Sequence, residues 1–273
     1  MTMVAIIAGA GILPRLIAED ALRGGRKFCV VLFDGFSPDW AQDLPIFAAR
    51  FEAIGQMMDG LRNLGCDSVT FAGAMARPVL DVARLDSKSR ELLMALMQGD
   101  DAMLRNIAAF FEREGFRVVG AHEILANLLV PIGILTRVQP SQTDQADAAR
   151  GMAIVAALGA ADVGQAAVVA QGICLGVESI QGTNALLEFV AATGEKYKPD
   201  PRGAKGVLCK APKPGQDWRM DLPAIGIDTI GKAAAAGIGG VALQAGGVIA
   251  LDLAAVVAEA DRLGLFLFGR EGR

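Results

Sequence analysis

Short apolar runs alternate with amphipathic stretches near the start of the chain. The runs 3–8, 28–33 and 68–73 each hold about six residues, and glycine or aspartate lies at or just after their ends. Between them, apolar residues recur at helical spacing over 12–22 and 54–64. This alternation predicts a Rossmann-like parallel sheet with helices on its faces. The next stretch predicts helices over 89–98, 102–114 and 121–129, with a strand over 116–119.

The pattern changes near residues 133–141, which are rich in glycine, proline and polar side chains. We place a domain boundary there, with an N-terminal Rossmann-like domain over 1–133 and a C-terminal domain over 134–273. Apolar periodicity and turn residues in the second domain predict helices over 144–158, 228–236 and 253–263, and strands over 166–170, 173–178, 241–244, 248–251 and 265–268. The two-residue turn Gln171-Gly172 predicts a hairpin between the first two strands. The predicted class is therefore α/β, with a mixed α/β C-terminal domain.

Composition and charge narrow the class of protein. Hydrophobic residues make up 53 % of the 273 residues, so a sizeable core is easy to build. The net charge of −4 argues against a nucleic-acid partner, because such proteins carry a basic face. The cysteines form no C-x-x-C pair, which disfavours structural zinc; Cys29, Cys174 and Cys209 lie in apolar runs and are expected as core thiols. We find no signal peptide and no apolar run long enough to span a bilayer.

The segment from Lys210 to Gly226 is the most unusual chemically. Its seventeen residues include three cations, two carboxylates, three prolines and two glycines. Unpaired charges are too costly to bury, so we expect a solvated loop rather than core. Cations can bind phosphate oxygens, and carboxylates can hold a hard cation or a water. A phosphate-and-metal site and a rigid surface loop are both consistent with this composition.

Gly9 and Gly11 form an incomplete dinucleotide fingerprint between a strand and a helix. Pro14 occupies the third glycine position, which disfavours NAD binding. A phosphate or nucleoside could still meet the helix start, and a purely structural turn is the alternative.

Three further features have two interpretations each. His122, which has no second histidine to work with, is expected as a surface or capping residue. The acids of Gly99-Asp100-Asp101 can cap a helix or hold a cation. Gly182-Thr183-Asn184 opens a helix after a strand, where α/β folds place ligands, although Thr or Asn can equally be an N-cap.

Several of these segments, taken together, resemble one family across nearly the whole chain. The shared motifs include Ile7 to Pro14, Phe71-Ala72-Gly73 with Arg77-Pro78, Val119 to Glu123, and above all Lys210 to Gly226. They resemble the UDP-2,3-diacylglucosamine pyrophosphatases of lipid A biosynthesis, the LpxI family, which is unrelated to the calcineurin-like metallophosphoesterases. One departure is Gln181-Gly182-Thr183-Asn184, where the family commonly has Glu-Gly-Thr-Asp.

The resemblance implies hydrolysis of UDP-2,3-diacylglucosamine to UMP and lipid X, 2,3-diacylglucosamine 1-phosphate, by Mg²⁺-dependent attack of water on the β-phosphorus. It also implies a Gram-negative cytoplasm, and it is compatible with a homodimer and with peripheral contact with the inner membrane. On this basis the expected catalytic residues are Asp221, Asp217, Lys210 and Arg219, and the expected metal ligands are Asp221, Asp228 and Asp101. The expected substrate-binding residues are Gly9, Gly11, Gln165, Thr183, Asn184, Lys213 and Gln216.

Two alternatives to the hydrolase stay open at this point. One is a nucleotide-sugar transferase or dehydrogenase that uses the first strand–helix–strand unit, against which the broken fingerprint argues. The other is a lipid or nucleotide-sugar carrier without turnover. Carboxylates beside cations favour catalysis over a carrier, which gains little from acids near a phosphate.

Overall fold

The computed structural model describes residues 3–75, 80–95 and 100–272. The chain divides into two compact units. The N-terminal unit comprises Met1–Ala126 together with Asp217–Asp221, and the C-terminal unit comprises Asn127–Gln216 and Leu222–Arg273. The division falls a few residues before the predicted boundary at 133/134, and the return of the short segment Asp217–Asp221 to the N-terminal unit was not predicted.

The N-terminal unit is built on a five-stranded parallel sheet in the order β3-β2-β1-β4-β5. This is the strand order of a Rossmann-like half-fold, and it confirms the predicted class. Its elements are β1 (Met3–Ala8), α1 (Leu13–Arg23), β2 (Phe28–Phe33), β3 (Ile46–Ala49), α2 (Ile54–Asn63), β4 (Cys66–Ala72), α3 (Ser87–Ala95), α4 (Asp100–Arg113), β5 (Arg117–Val118) and α5 (Ala121–Ile124).

Two predicted elements of this unit differ from the structure. The edge strand β3 was not predicted, because its four residues are too few to establish a pattern. The predicted helix over 121–129 ends at Ile124. Asn127 adopts a left-handed backbone with φ 63°, which is incompatible with a continuing helix.

The core of the N-terminal unit lies between the sheet and its helices. Both faces of β2 are buried, as expected for a strand covered by helices on either side. Met57, Met58 and Leu61 of α2 and Phe110 of α4 pack against the strands. Met220, from the returning segment, belongs to the same cluster and is buried. An apolar anchor therefore holds that segment in place.

The C-terminal unit contains a six-stranded mixed sheet in the order β6-β13-β11-β9-β7-β8. Strands β9, β11 and β13 are parallel, and the antiparallel hairpin of β7 and β8 confirms the predicted turn at Gln171-Gly172. Its elements are β6 (Gly133–Ile134), α6 (Gln142–Ala160), β7 (Ala166–Ala170), β8 (Ile173–Val177), α7 (Gly182–Thr193), β9 (Val207–Lys210), β10 (Ala224–Ile225), α8 (Ile227–Ala235), β11 (Gly240–Gln244), β12 (Ile249–Ala250), α9 (Leu253–Leu263) and β13 (Phe266–Arg270).

Two details of this unit depart from expectation. The strand predicted over 248–251 is the two-residue β12, which pairs with β10 outside the main sheet. Cys174 lies on the edge strand β8 and is exposed, so the prediction that it is a core thiol was wrong. An edge strand has one neighbour, and side chains on it are less completely covered. None of the described helices is both long and apolar enough to span a membrane.

Candidate functional site

Lys210 ends β9 and is buried in the C-terminal unit, with 6 % of its surface exposed. The expectation that the loop lies wholly outside the core is therefore wrong at its first residue. The Lys210 ammonium donates to the Thr183 hydroxyl over 2.8 Å and to the Ala224 carbonyl over 3.1 Å. These partners offset part of the cost of removing the ammonium from water.

The Thr183 hydroxyl in turn donates to Glu178 Oε1 over 3.1 Å. The pairing of β7 with β8 on one side and β9 on the other explains how one hydroxyl reaches both side chains. Ala166 of β7 pairs with Lys210 of β9 on one side, and its carbonyl accepts from the Glu178 amide on the other. Thr183 reaches both from the first turn of α7. A buried cation and a buried carboxylate are thus joined through one hydroxyl.

Two acceptors near this chain of hydrogen bonds have no partner within the described residues. They are Glu178 Oε2 and Gln165 Oε1, both shielded from solvent. Glu178 is 7 % exposed, and Gln165 precedes β7, where its carbonyl accepts from the Ala211 amide. Buried acceptors are normally satisfied, so this end of the sheet is suited to a donor from outside the protein. The sequence predicted Gln165, Thr183 and Lys210 as site residues but not Glu178, whose only signal was its position directly after the hairpin of β7 and β8.

Gly182-Thr183-Asn184 does not cap its helix by a side chain. Gln181 is the N-cap residue of α7 and makes no capping hydrogen bond. Thr183 turns inward to Lys210, whereas Asn184 is exposed. The N-cap alternative is therefore wrong for Thr183, and substrate contact by Asn184 stays a prediction.

Asp217 and Arg219 form a two-point ion pair in the N-terminal unit. Arg219 Nε lies 3.0 Å from Asp217 Oδ1, and the terminal nitrogen lies 2.7 Å from Oδ2. Another guanidinium nitrogen lies 2.6 Å from Glu112 of α4. The guanidinium holds the pKa of the Asp217 carboxyl below its usual range, despite the opposing effect of burial. Arg219 is thereby fixed in orientation with about a third of its side chain, 37 %, in contact with solvent.

Lys213 and Gln216 close a tight turn in the C-terminal unit. Gln216 Oε1 accepts from the Lys213 amide over 3.1 Å, and the Gln216 amide donates to the Lys213 carbonyl over 3.2 Å. Gly215 supplies the left-handed backbone, φ 77°, that the turn needs. The Lys213 ammonium lies 2.6 Å from Asp162. The structure assigns both side chains a local role, and their contact with substrate stays a prediction.

The three predicted metal ligands are distributed over both units, and their assignment as ligands stays a prediction. Asp221 and Asp228 are exposed, the first in the N-terminal unit and the second in the first turn of α8. The side chain of Asp101 lies outside the described part of the chain. No group of three His, Cys, Asp or Glu side chains suited to a metal occurs among the described residues. The donor set still fits Mg²⁺, which is usually held by one or two carboxylates plus substrate phosphates.

His122 lies closer to the loop than its sequence position suggested. Gly120 caps α5, with its amide donating to Glu123 over 2.8 Å, so His122 is not the capping residue. A Cβ placed on Gly120 would lie 2.4 Å from the His122 ring and 3.2 Å from the Arg219 Cα. The imidazole is half-buried, and its Nδ1 atom has no hydrogen-bond partner within the described residues.

Gly9 and Gly73 allow the ends of β1 and β4 to approach closely. A Cβ on Gly9 would lie 2.5 Å from the Ala74 carbonyl oxygen, and one on Gly73 would lie 2.4 Å from that of Ala10. The Gly9 and Ala10 amides donate to the carbonyls of Ala72 and Ala74, each over 2.8 Å. This gives Gly9 a packing role, whereas its predicted contact with a nucleotide remains a prediction. Gly11 adopts φ 102°, a conformation that strains other residues.

Comparison with known proteins identifies the family. The model described as the LpxI N-terminal domain matches residues 3–128, and the LpxI C-terminal domain matches residues 131–268. The chain is also 38 % identical, over 273 residues and 98 % of each sequence, to the UDP-2,3-diacylglucosamine pyrophosphatase LpxI of Caulobacter vibrioides. The chain belongs to the LpxI family. This confirms the resemblance found in the motifs, including the segment Lys210 to Gly226.

At Gln181 and Asn184 this chain has amides where the LpxI family commonly has carboxylates. Gln181 accepts a hydrogen bond from Ser179, and both amide side chains are exposed. The buried members of this region, Glu178 and Thr183, are the ones linked to Lys210. The two amides therefore lie outside the buried hydrogen-bond chain.

Proposed function

We propose that this chain hydrolyses the pyrophosphate of UDP-2,3-diacylglucosamine, yielding UMP and lipid X in lipid A biosynthesis. The observation that carries the proposal is the 38 % identity over 98 % of the chain to a UDP-2,3-diacylglucosamine pyrophosphatase. In the proposed reaction, water attacks the β-phosphorus, the bond to the UMP oxygen breaks, and the water oxygen remains on lipid X. UMP departs with the electron pair of the broken bond.

The cations of the loop supply the charge stabilisation that this reaction needs. Lys210 is desolvated and held by Thr183, so its ammonium is presented in a fixed direction. Arg219 is held by Asp217 and Glu112 while part of its side chain stays in contact with solvent. We assign both to phosphate oxygens, because preorganised cations stabilise the charge that develops on the leaving phosphate.

Asp221 is the proposed group for orienting water or holding Mg²⁺. It is exposed, and its amide donates to the Asp217 carbonyl over 3.2 Å, which fixes the backbone from which it projects. Asp228 and Asp101 are second choices as ligands. Mg²⁺, when bound, would act as a Lewis acid on phosphate oxygens. We further propose a cytoplasmic location with peripheral contact at the inner membrane, where the substrate's acyl chains would reside, and a homodimer as the assembly to test.

The test is phosphorus NMR of the purified protein with UDP-2,3-diacylglucosamine and Mg²⁺ in oxygen-18 water. We expect UMP and lipid X, with the label on lipid X. Asp221→Asn should lower turnover by about 10²–10⁴-fold, the range for loss of a general acid–base group, while substrate binding persists. Asp43→Asn, an exposed aspartate in the turn before β3, is the matched control. An unchanged pyrophosphate signal with bound substrate would instead indicate a carrier, and undiminished turnover would remove Asp221 from catalysis.

A further inference from the structure

An apolar surface lies at the outer edge of the C-terminal sheet. Strand β8 ends this sheet and has β7 as its only neighbour among the described strands. Its five residues, Ile173 to Val177, include no charged residue and no proline, the residues that commonly protect an exposed edge strand. Three more large apolar side chains beside β8 are exposed, as Ile173 is: Ile180, Phe189 and Tyr197. We call these four residues the β8–α7 surface.

The residues of the β8–α7 surface lie on one side of the sheet. Ile173 pairs with Ala170, which belongs to the core cluster that α7 covers, so Ile173 is on the α7 side of β8. A Cβ placed on Gly176 of β8 would lie 3.5 Å from Phe189 Cδ1. The short 3₁₀ helix Gly194–Tyr197 follows α7 directly and packs against β8 as well. Segments that are apart in the sequence therefore form one face.

The exposure of these four side chains calls for a partner. Their exposed fractions range from 39 % for Ile173 to 84 % for Ile180. Single exposed apolar side chains are ordinary, but a contiguous group marks contact with another protein, a ligand or a membrane. Tyr197 favours the last of these, because tyrosine is enriched where hydrocarbon meets the lipid headgroups.

Three cations border the β8–α7 surface. Lys196 directly precedes Tyr197, and Arg202 and Lys205 lie in the loop that leads to β9. All three are exposed, and none has an ion-pair partner among the described residues. Their charge is therefore available to an anionic partner, although the whole chain carries a net charge of −4.

Hydrogen bonds hold the loop of Arg202 and Lys205 against the β7–β8 hairpin. The Gln171 side-chain amide donates to the carbonyls of Asp200 over 2.7 Å and Ala204 over 3.1 Å. Gln171 Oε1 accepts from the Asp200 amide over 2.8 Å. The two cations of this loop are thus placed beside the edge strand.

The acids of the same region do not cancel these cations. Glu188 is paired with Lys232 over 2.5 Å, and Glu195 is paired with Lys198 over 2.8 Å. Asp200 is the third exposed acid between residues 171 and 205, and it accepts a hydrogen bond from the Arg202 amide. The charges without an ion-pair partner beside the apolar side chains are therefore mainly positive.

This charge distinguishes between the two partners that an apolar edge could take. In a symmetric dimer through β8, the cations of one copy would face those of the other, and like charges across an interface are unfavourable. An anionic bilayer attracts basic side chains and accepts apolar side chains at the depth of its headgroups. The combination of apolar and basic residues therefore fits a membrane better than a second copy.

We propose that the β8–α7 surface docks on an anionic phospholipid bilayer, with its four apolar side chains among the headgroups and the three cations near the lipid phosphates. The choice of a bilayer rests on the proposed function, whose substrate carries acyl chains; the surface and its charge rest on the structure. Ile180 is two residues from Glu178, so docking brings the hydrogen-bond chain of Lys210 close to the membrane. An acylated substrate would be collected there.

Co-sedimentation of the full-length protein with vesicles tests the proposal without any substrate. We expect binding to vesicles of phosphatidylcholine and phosphatidylglycerol in equal parts and weaker binding to phosphatidylcholine alone. High salt should release the protein, because it screens the cations. Ile180→Ser combined with Phe189→Ser should weaken binding by about tenfold or more, since two apolar side chains no longer enter the bilayer.

Lys196→Gln combined with Lys205→Gln should weaken binding to the anionic vesicles by about tenfold and reduce its dependence on salt. Ile132→Ser is the matched control, because Ile132 is 70 % exposed and precedes β6 at the opposite edge of the same sheet. It should bind vesicles like the wild type. Urea unfolding of every variant should match the wild type, since each substituted side chain is exposed.

Hydrogen exchange gives a second readout that does not depend on a variant. Anionic vesicles should slow exchange in peptides that cover 173–180 and 195–205. Absence of binding by the wild type, or equal binding by the wild type and the Ile180→Ser, Phe189→Ser variant, would overturn the proposal. So would a dimer, detected by sedimentation velocity, that this variant dissociates, because the surface would then belong to a second copy.

Hydrolysis of UDP-2,3-diacylglucosamine in detergent micelles separates this proposal from the proposed function. Turnover in micelles without vesicle binding would overturn the docking surface and leave the hydrolase standing. Vesicle binding that depends on Ile180 and Phe189, without turnover, would support the surface and count against the hydrolase.

Discussion

The Lys210 ammonium lies 2.8 Å from the Thr183 hydroxyl, which passes a hydrogen bond on to Glu178. Lys210 ends β9 and Glu178 follows β8, so two residues 32 positions apart in the sequence are linked by a third from α7. Because all three side chains are buried, their hydrogen bonds to one another replace those that water would have made.

Thr183→Val should destabilise the protein by about 1–3 kcal/mol, since it removes the hydroxyl and leaves Lys210 and Glu178 short of a buried partner. Urea unfolding followed by circular dichroism measures this. Thr193→Val is the matched control, because Thr193 lies in the same helix and its hydroxyl donates to the Phe189 carbonyl at an exposed site. Equal effects of the two substitutions would mean that the buried chain contributes nothing beyond an ordinary hydroxyl.

Asp217→Asn should lower stability at neutral pH by roughly 1 kcal/mol, a value limited by the partial exposure of Arg219. The folded-state pKa of Asp217 is depressed, mainly by the Arg219 side chain, so its contribution is present above the unfolded pKa of about 3.9. That contribution is lost as the pH falls through the lower folded pKa. Unfolding free energies measured between about pH 7 and pH 2 should therefore converge for wild type and variant at the acid end.

The control for Asp217→Asn is Asp59→Asn, which breaks a more exposed pair with Arg62 on α2. This substitution should lower the free energy of unfolding by less than about 0.5 kcal/mol. If the difference in unfolding free energy between wild type and Asp217→Asn stays constant down to the lowest pH, the ion-pair explanation is wrong.

Gly9→Ala should destabilise the protein by roughly 2–3 kcal/mol, because the added Cβ meets the Ala74 backbone, which cannot move aside as a side chain can. Gly231→Ala is the control, and we expect it to change the stability in the opposite direction. Gly231 lies inside α8 with nothing near its Cβ position, so alanine should stabilise by about 0.5–1 kcal/mol through helix propensity. Thermal or urea unfolding of both variants checks the pair, and a neutral Gly9→Ala would refute the close approach of β1 and β4.

Cys174 should be the thiol that iodoacetamide labels in the native protein, because it is exposed, whereas Cys29, Cys66 and Cys209 are buried. Burial also raises the pKa of Cys209 to about 12, which suppresses its reactive thiolate. Intact-mass and peptide mass spectrometry should show one label, and none in Cys174→Ser. Rapid labelling of a second thiol would show that a buried cysteine opens to solvent.

Mild oxidation should yield no disulfide between Cys29 and Cys66, although their sulfurs lie 3.7 Å apart. The two cysteines lie on β2 and β4, on opposite sides of β1. Two strand spacings separate their backbones by about 9–10 Å, beyond the reach of a disulfide without strand movement. Non-reducing mass analysis after peroxide treatment checks this, and a Cys29–Cys66 cross-link would indicate a sheet looser than the structure shows.

The sequence by itself determined the local elements and the family. Apolar runs such as 3–8 and 28–33 predicted buried parallel strands, because helices on both faces of such a sheet remove the need for polar positions. The hairpin at Gln171-Gly172 followed from its turn residues. The segment Lys210 to Gly226, with its mixture of charge, proline and glycine, carried the strongest part of the resemblance to the family.

The tertiary structure decided which residues meet. The spacing of apolar residues predicts which face of a single helix or strand is buried. Contacts between elements depend instead on strand register and on the path of the loops. Glu178 was therefore not predicted, because it is linked to Lys210 only through Thr183 and through strand pairing on either side of β7. Met220 likewise returns Asp217–Asp221 to the N-terminal unit through burial in its core, a contact between segments distant in sequence that no local pattern encodes.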